Sequence, residues 1–380
     1  MRVAIGSTVL QYGRANGHID GIGTYTQALL QCYAKQHPDE FNGFVFHGLK
    51  RKRLIGDFDD MPIPFAPNVL QSALTFMPFI GSARIDQSYD LFHATDHFIP
   101  KLRKTPVLAT LMDPVPIMYP EWVSGGKTRP LKNWLFKRSA QSADHYVTIS
   151  EFVVKDLVEH FRIPEEKISV IPLGVNALYF QKVAQAEKQA VLDKFKLQAG
   201  FFLFIGTLQP RKNILTLIEA FRSLPADIQK QHPLIVAGGQ GWRSDKEIQA
   251  LQQLEAEGLG RWLNYVSTDE KIVLLQSACA LVFPSLYEGF GLPVLEAFAS
   301  DLPVITSNTT SLFEVAGDAA LLVDPYSPSA IAQAMQTLIE SSEMANNLRT
   351  KGMQRAQEYT WQRTADATWA LYEKILGKNN

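Results

Sequence analysis

Short apolar runs recur along this chain with helical patterns between them, and the rhythm occurs twice. In the first half the runs are Val3–Ile5, Gly43–Phe46, Leu91–His93, Val107–Leu111 and His145–Ile149. The second half restarts with Phe201–Ile205, Leu234–Ala237, Leu263–Val266, Ala280–Phe283, Val304–Thr306 and Ala320–Val323. Continuous rather than alternating apolar runs indicate strands buried on both faces, and helices between them indicate crossovers. Each half therefore predicts a parallel sheet flanked by helices, an α/β class of Rossmann-like kind. A chain of 380 residues exceeds one ordinary core of about 100–200 residues, so two domains are expected. The Gln-, Ala- and Lys-rich stretch from Asn176 to Gly200 follows SVIPLGV and lacks a strand run, which places the boundary near Gly174, with domains 1–173 and 174–360. In open α/β sheets ligands sit beyond the carboxyl ends of the strands, so a central cleft lined by both sets of strand ends is the expected place for chemistry.

A net charge of −1 leaves no global field to gather nucleic acid, so no nucleic-acid partner is expected and any anionic ligand must be held by local cations. Cys32 and Cys279 read as small apolar groups, not a disulfide framework. The opening MRVAIGSTVL runs straight into an apolar strand with one Arg and no small-residue cleavage site, so neither a secretory signal nor a transit peptide is read there and a cytoplasmic location is expected. The most apolar stretch, Val69 to Ile80, is interrupted by Gln71, Ser72, Thr75 and Pro78 and is too short to span a bilayer.

Four strand ends carry the candidate chemistry. The run ALVFP delivers SLYEGFGLPVLEAF, in which Pro293 sits at the first turn of a helix. Gly289 and Gly291 clear side chains from in front of that helix, so backbone N–H groups around Phe290 and Leu292 and the positive end of the dipole can approach an anion. Glu288 and Glu296 bracket this phosphate cradle, and each carboxylate can accept from a pair of sugar hydroxyls. Two isolated glutamates at this spacing would more often be solvated; the buried strand before them and the glycines between them change that reading. At the second strand end, FFLFIGTLQPRKN, Gly206 and Thr207 close a strand, and Arg211 and Lys212 precede a helix, where cations oppose the dipole. A diphosphate explains them: Arg forks onto phosphate oxygens and Lys adds a point charge, stabilising a leaving nucleotide without a metal.

The third site, DGIGTYTQALL, brings Gly21 and Gly23 to another helix start, but Thr26 stands where a dinucleotide fingerprint needs its third glycine, so NAD is not inferred. The fourth, FHATDHFIP with ATLMDPVP, carries His93, Asp96, His97 and Asp113. The histidines lie at a strand end before Pro100, not on one helical face, so no metal site is read there; Asp113 and the histidines are candidates for sugar or acceptor hydroxyls. Two other motifs are set aside. Asp57-Phe58-Asp59 resembles a metal-binding D-x-D but reads as a solvated loop. KTRPLKNWLFKRSAQSA reads as a packed amphipathic helix with snorkelling cations ahead of a membrane-docking one.

With these motifs in place, the chain resembles the family-4 glycosyltransferases of the GT-B fold, two Rossmann-like domains facing a central cleft, and especially those building bacterial O-antigen and capsule polysaccharides. GTLQPRKN, AGGQGW, NYVSTDE, FPSLYEGFGLPVLEAFASDLPVITSN and EVAGDAALLVDP follow in that family's order and spacing. The resemblance implies a retaining, metal-independent hexosyltransferase with no cofactor beyond its nucleotide-diphosphate sugar, GDP-mannose favoured. It implies that Glu288 holds donor-sugar hydroxyls, Glu296 the ribose, Phe290 to Leu292 the phosphate and sugar, Arg211 and Lys212 the diphosphate, and that Val266 sits by the base. The Gly21–Gly23 loop would close over the diphosphate and acceptor, and the final helix, within 361–380, would return to the first domain. The implied acceptor is a glycan or lipid-linked saccharide at the inner face of a membrane, which the Val69–Ile80 segment could approach. No protein nucleophile is required, in keeping with a site rich in phosphate and hydroxyl binders. Met112 departs from the family's sugar-contacting His, leaving His97 or Asp113 to compensate, and Thr207 stands where some relatives have Arg. Glucosyl or N-acetylhexosaminyl transfer, an impaired sugar-nucleotide binder, and a phosphorylase or epimerase of the same fold are the alternatives.

Overall fold

The computed structural model describes residues 1–17, 19–48, 56, 58–61, 63–123 and 126–377. The chain divides into two compact units, one formed by 1–120, 124–174 and 361–380, the other by 121–123 and 175–360.

The first unit holds a seven-stranded sheet: β1 (Val3–Gly6), β2 (Phe41–Phe46), β3 (Asp59–Met61), β4 (Leu91–Ala94), β5 (Val107–Thr110), β6 (His145–Thr148) and β7 (Ile168–Val170). Their order is β3-β2-β1-β4-β5-β6-β7, every pair parallel. The second unit holds β8 (Phe202–Ile205), β9 (Leu234–Ala237), β10 (Gly260–Asn264), β11 (Ala280–Phe283), β12 (Val304–Ser307) and β13 (Leu321–Val323). These run in the order β10-β9-β8-β11-β12-β13, again all parallel. The central strands β1, β4, β5, β8, β9, β11 and β12 are buried along their whole length, as a sheet covered on both faces requires. The strand order turns outward in opposite directions at β1/β4 and at β8/β11, and crevices beyond the carboxyl ends of strands at such reversals are where ligands bind.

Two edge strands differ from the sequence reading, for physical reasons. β10 begins at Gly260, three residues earlier than expected, because the edge strand is half-buried and its glycine reads as a turn. That glycine is needed for close approach: a Cβ there would lie 2.5 Å from the Leu234 carbonyl oxygen. β3 was expected to be a solvated loop, yet Asp59 accepts from the Tyr89 hydroxyl and Asp60 pairs with His47 at 2.9 Å. Acids satisfied by buried partners can occupy a strand that composition disfavours. Asp57 lies outside the described residues.

The last helix, Trp361–Ile375, belongs to the first unit and packs on helix Gly21–Gln36. Trp369 stacks on His37 with ring centroids 3.6 Å apart, and the Tyr33 hydroxyl donates to the Ala365 carbonyl at 3.2 Å. Beneath them the fully buried imidazole of His93 sits between the Tyr372 hydroxyl (2.6 Å) and Thr110 Oγ1 (2.7 Å). His93 is thus a structural tie between β4, β5 and the final helix, and not a ligand for acceptor hydroxyls. Burial lowers its pKa to about 3. In the unfolded chain the imidazole takes up a proton near its ordinary value of about 6.5, so stability falls as pH drops from there toward 3. Chemical denaturation of the wild type and of His93→Gln, which cannot take up that proton, should show the wild type losing ground on the order of 2–3 kcal/mol by about pH 4.

Candidate functional site

In the second unit the order reversal at β8/β11 supplies the centre of the site. β8 ends at Ile205 and passes through Gly206 into a turn that presents Arg211 and Lys212. Gly238 at the end of β9 presses against this turn, since a Cβ there would lie 1.9 Å from the Gly206 carbonyl oxygen. β11 ends at Phe283 and runs through Pro284 into the loop bearing Glu288. Asn213, in the left-handed region at φ 62°, fastens the first loop to the second by donating to the Pro284 carbonyl at 3.0 Å and to the Pro325 carbonyl at 2.6 Å. The Leu286 N–H donates to the Arg211 carbonyl at 2.8 Å, a second tie between them.

These ties bring three charges together. Lys212 Nζ lies 2.5 Å from Glu288 Oε1, and an Arg211 terminal nitrogen lies 2.9 Å from Glu288 Oε2. Arg211 also donates to the Tyr287 carbonyl and to Gln209 Oε1, both at 3.0 Å, which fixes its guanidinium plane. Lys212 sits 4.7 Å over the Phe283 ring. Burial alone would raise the Glu288 carboxyl, but the two cations outweigh it and hold the group at about 2. The site therefore carries an ionised carboxylate and two fixed cations, ready for a ligand with hydroxyls and an anionic group.

The cradle in front of helix Leu292–Ala299 is held from behind. Ser311 Oγ donates to the carbonyls of Glu288 (2.7 Å) and Phe290 (3.0 Å). Gly291, at φ 110°, makes the turn into the helix, and Gly289 and Phe290 are buried beside it. Leu292 is the first helical residue, half-buried, and Thr207 is exposed at the end of the β8 loop. Val266 is half-buried just before helix Thr268–Ser277.

Glu296 does not stand open. Lys271 Nζ lies 2.7 Å from its Oε1 and 5.1 Å from the Tyr179 ring centroid. The Tyr179 hydroxyl is pushed well above its ordinary value by burial and then by the Glu296 charge to which it is hydrogen-bonded. Sequence reasoning missed Lys271 and Tyr179. The signal for Lys271 was present, because it is a cation in a helical first turn, the same opposition to the dipole that singled out Arg211 and Lys212.

In the first unit the predicted residues occupy the ends of β1, β4 and β5. Asp20 caps helix Gly21–Gln36 by accepting from the Gly23 N–H at 2.8 Å, so that donor is occupied by the chain's own carboxylate, while a Cβ at Gly21 would meet nothing within 4 Å. Thr26, in place of a third glycine, bonds the Thr95 hydroxyl at 2.8 Å in the core. Asp96 is buried and accepts from the N–H groups of Val9 (3.2 Å) and Phe98 (2.8 Å); burial pushes it up to about 6. It anchors loops and is not exposed to acceptor hydroxyls. The His97 ring lies edge-on to Phe136 at 4.4 Å; desolvation holds its imidazole below the ordinary value, and the charges of Asp113 and Asp20 act in the opposite direction. Asp113 accepts from the Val115 N–H at 3.1 Å, and both it and Met112 are half-buried.

Two family models match the chain in succession. The family model described as Glycosyltransferase Family 4 matches residues 19–177, and Glycosyl transferases group 1 matches 187–355. The chain is 32% identical over 286 residues to O-antigen chain mannosyltransferase B of Escherichia coli, covering 75% of this chain and 74% of that protein. This chain is a family-4 glycosyltransferase. The enzyme is also 30% identical over 242 residues to the serotype-specific mannosyltransferase WbdA of Escherichia coli, spanning 62% of its own length but only 29% of WbdA. Its fold matches sucrose-phosphate synthase from Thermosynechococcus elongatus with a TM-score of 0.75 at 20% identity, over 99% of both chains, and is GT-B.

Glu288→Gln in this glycosyltransferase should remove the carboxylate charge that Lys212 and Arg211 face. Urea unfolding monitored for the second unit should show a loss of about 3 kcal/mol, as expected when one partner of a buried pair is removed. In the wild type the same contribution should disappear as pH falls from about 4.5 toward 2, because the folded-state carboxyl is depressed below its unfolded value.

Proposed function

We propose that this glycosyltransferase is a retaining, metal-independent hexosyltransferase that moves mannose from GDP-mannose to a hydroxyl of a glycan or lipid-linked saccharide in surface polysaccharide synthesis. The Arg211–Glu288–Lys212 cluster at the β8/β11 reversal carries this reading. Arg211, Lys212 and the first turn of helix Leu292–Ala299 would take the donor's diphosphate, and Glu288 would hold sugar hydroxyls. The acceptor hydroxyl attacks the anomeric carbon on the leaving-group face while the bond to the diphosphate oxygen breaks. The hydroxyl proton passes to a phosphate oxygen, and the charge that develops on the departing nucleoside diphosphate falls on the two fixed cations. The named mannosyltransferase relatives support mannose; glucose or an N-acetylhexosamine would fit the same cluster. His97 and Asp113 are the proposed acceptor-side contacts, Gly21 and Gly23 the backbone beside the diphosphate, and Val266 the neighbour of the base. For Glu296 to hold a ribose, Lys271 must share or release it. A lipid-linked acceptor would place the enzyme at the cytoplasmic face of a membrane.

Thermal unfolding with GDP, UDP and ADP and their sugars tests donor binding. At a concentration of about 100 times Kd the correct ligand should stabilise by about 2.7 kcal/mol, and a response to none of them would refute the proposal. Product analysis with a donor panel and lipid-carrier acceptors would then read sugar, linkage and anomeric configuration. A second reading, an impaired sugar-nucleotide binder, is favoured by Met112. It predicts nucleotide binding without turnover in the wild type and recovery of turnover in Met112→His, whereas an active wild type excludes it.

A further inference from the structure

We propose that the second unit holds a site for a small phosphomonoester, apart from the Arg211–Glu288–Lys212 cluster, whose occupant acts on Glu296 through Tyr179. The site is a cavity of about 660 Å³ walled by segment 179–182, the turn 299–302 and parts of helices Gln185–Phe195, Thr268–Ser277 and Ser342–Glu358. That volume lies within the range of small-ligand pockets, about 300–1,000 Å³. Three cations line it, Lys182, Lys188 and Arg349, with one acid, Asp301. The excess of two positive charges matches a phosphate monoester, which carries about −1.5 to −2 at neutral pH. Phe180, Leu302 and Met353 add apolar wall against which the carbon body of such a ligand can lie.

Cations near helix C-termini often serve the dipole and the last carbonyls, and helices Thr268–Ser277 and Leu292–Ala299 both end at this cavity. Here the backbone already does that work. The Ser300 N–H donates to the Glu296 and Ala297 carbonyls, both at 3.1 Å, and the Ala278 N–H donates to the Leu274 carbonyl at 3.1 Å. Among the described residues, the ammonium groups of Lys182 and Lys188 have no ion-pair or hydrogen-bond partner, and Arg349 donates to Asn346 Oδ1 at 2.8 Å but meets no carboxylate. Solvated cations are ordinary one by one. Three around one cavity set up a field that Asp301 balances only in part.

Tyr179 connects this cavity to the cradle. It forms part of the wall, its carbonyl accepts from Ser300 Oγ at 3.5 Å, and its hydroxyl is hydrogen-bonded to Glu296, which Lys271 meets at 2.7 Å. Helix Leu292–Ala299 has the cradle at its first turn and the cavity at its last, with Glu296 between, over a length of about 12 Å. A ligand filling the cavity packs Tyr179 in the place from which it holds Glu296, and so keeps Glu296 from a ribose. Linkage makes that opposition mutual. The coupling rests on the reading of Glu296 as a donor contact; the binding site itself does not.

The test is calorimetric titration of the full chain with glucose 6-phosphate, with glucose and inorganic phosphate as comparisons. Glucose 6-phosphate should bind, inorganic phosphate more weakly and glucose not at all. Lys182→Gln with Lys188→Gln should weaken binding about tenfold, as the loss of charge-assisted hydrogen bonds requires, with circular dichroism unchanged. Asp301→Asn, which suits the left-handed φ of 61° at that position, should tighten it, and Arg211→Gln should leave it as it is. No binding by the wild type, equal binding by the lysine double variant, equal binding of inorganic phosphate, or a loss in Arg211→Gln alone would each overturn the site. For the coupling, saturating glucose 6-phosphate should weaken the affinity for the nucleoside diphosphate that raises the thermal midpoint by about fivefold in the wild type, and not in Tyr179→Phe. An unchanged affinity, or the same loss in Tyr179→Phe, would overturn it. Binding of no nucleoside diphosphate would refute the donor reading and the coupling with it, while the calorimetry still decides the site.

Discussion

A carboxylate buried between two cations governs the second unit. Removing Glu288 from water is costly, and only the nearby Arg211 and Lys212 keep it ionised. Their positions depend in turn on main-chain contacts between the β8 and β11 loops, through Asn213 to Pro284 and Leu286 to Arg211. Gly238 belongs to the same constraint, because a Cβ there would lie 1.9 Å from the Gly206 carbonyl oxygen, and Gly206 and Gly291, at φ 153° and 110°, hold backbone conformations that side chains rarely adopt. A parallel sheet with its order reversal between β8 and β11 is what lets two sequence-distant loops converge in this way.

The first unit is organised around a different burial problem. His93 is uncharged in the core and satisfied on both ring nitrogens, one of them by a tyrosine from the end of the chain. That bond, with Trp369 on His37 and Tyr33 on Ala365, makes the last helix a structural part of the sheet that begins the chain. Leaving a buried imidazole without partners would cost more than the bonds contribute in place, so the final helix is held by the penalty of its removal.

Most of this frame was legible in the sequence because it follows from periodicity and steric need. Runs such as Phe202–Ile205 and Ala280–Phe283 can only be central strands, and Gly291 before Pro293 can only be a turn into a helix. Arg211, Lys212 and Glu288 stood out in the sequence because cations before a helix and a carboxylate beside a glycine loop each contradict local preference, and the structure pairs them. What escaped depends on tertiary partners. Asp59 and Asp60 look like loop residues until Tyr89 and His47 are brought to them. His93 looks like a ligand until Tyr372, far along the chain, fills its ring nitrogen, and Glu296 looks open until Lys271 and Tyr179 close on it. A single sequence carries the side chain but not the group that will satisfy it.

The same distinction bears on charge. Summed over the chain, 37 basic and 38 acidic residues cancel almost completely, and from that sum no anionic partner would be inferred. Folding sorts them. In the second unit two cations converge on one carboxylate, where a low local dielectric makes their excess charge count at short range. In the first unit Lys137, Arg138, His160 and Arg162 line a cavity beside the partly exposed Trp134, where they are screened by water. Net charge measures neither arrangement. The depth at which each cluster sits, and whether a carboxylate shares it, decides the size and kind of anion it can hold.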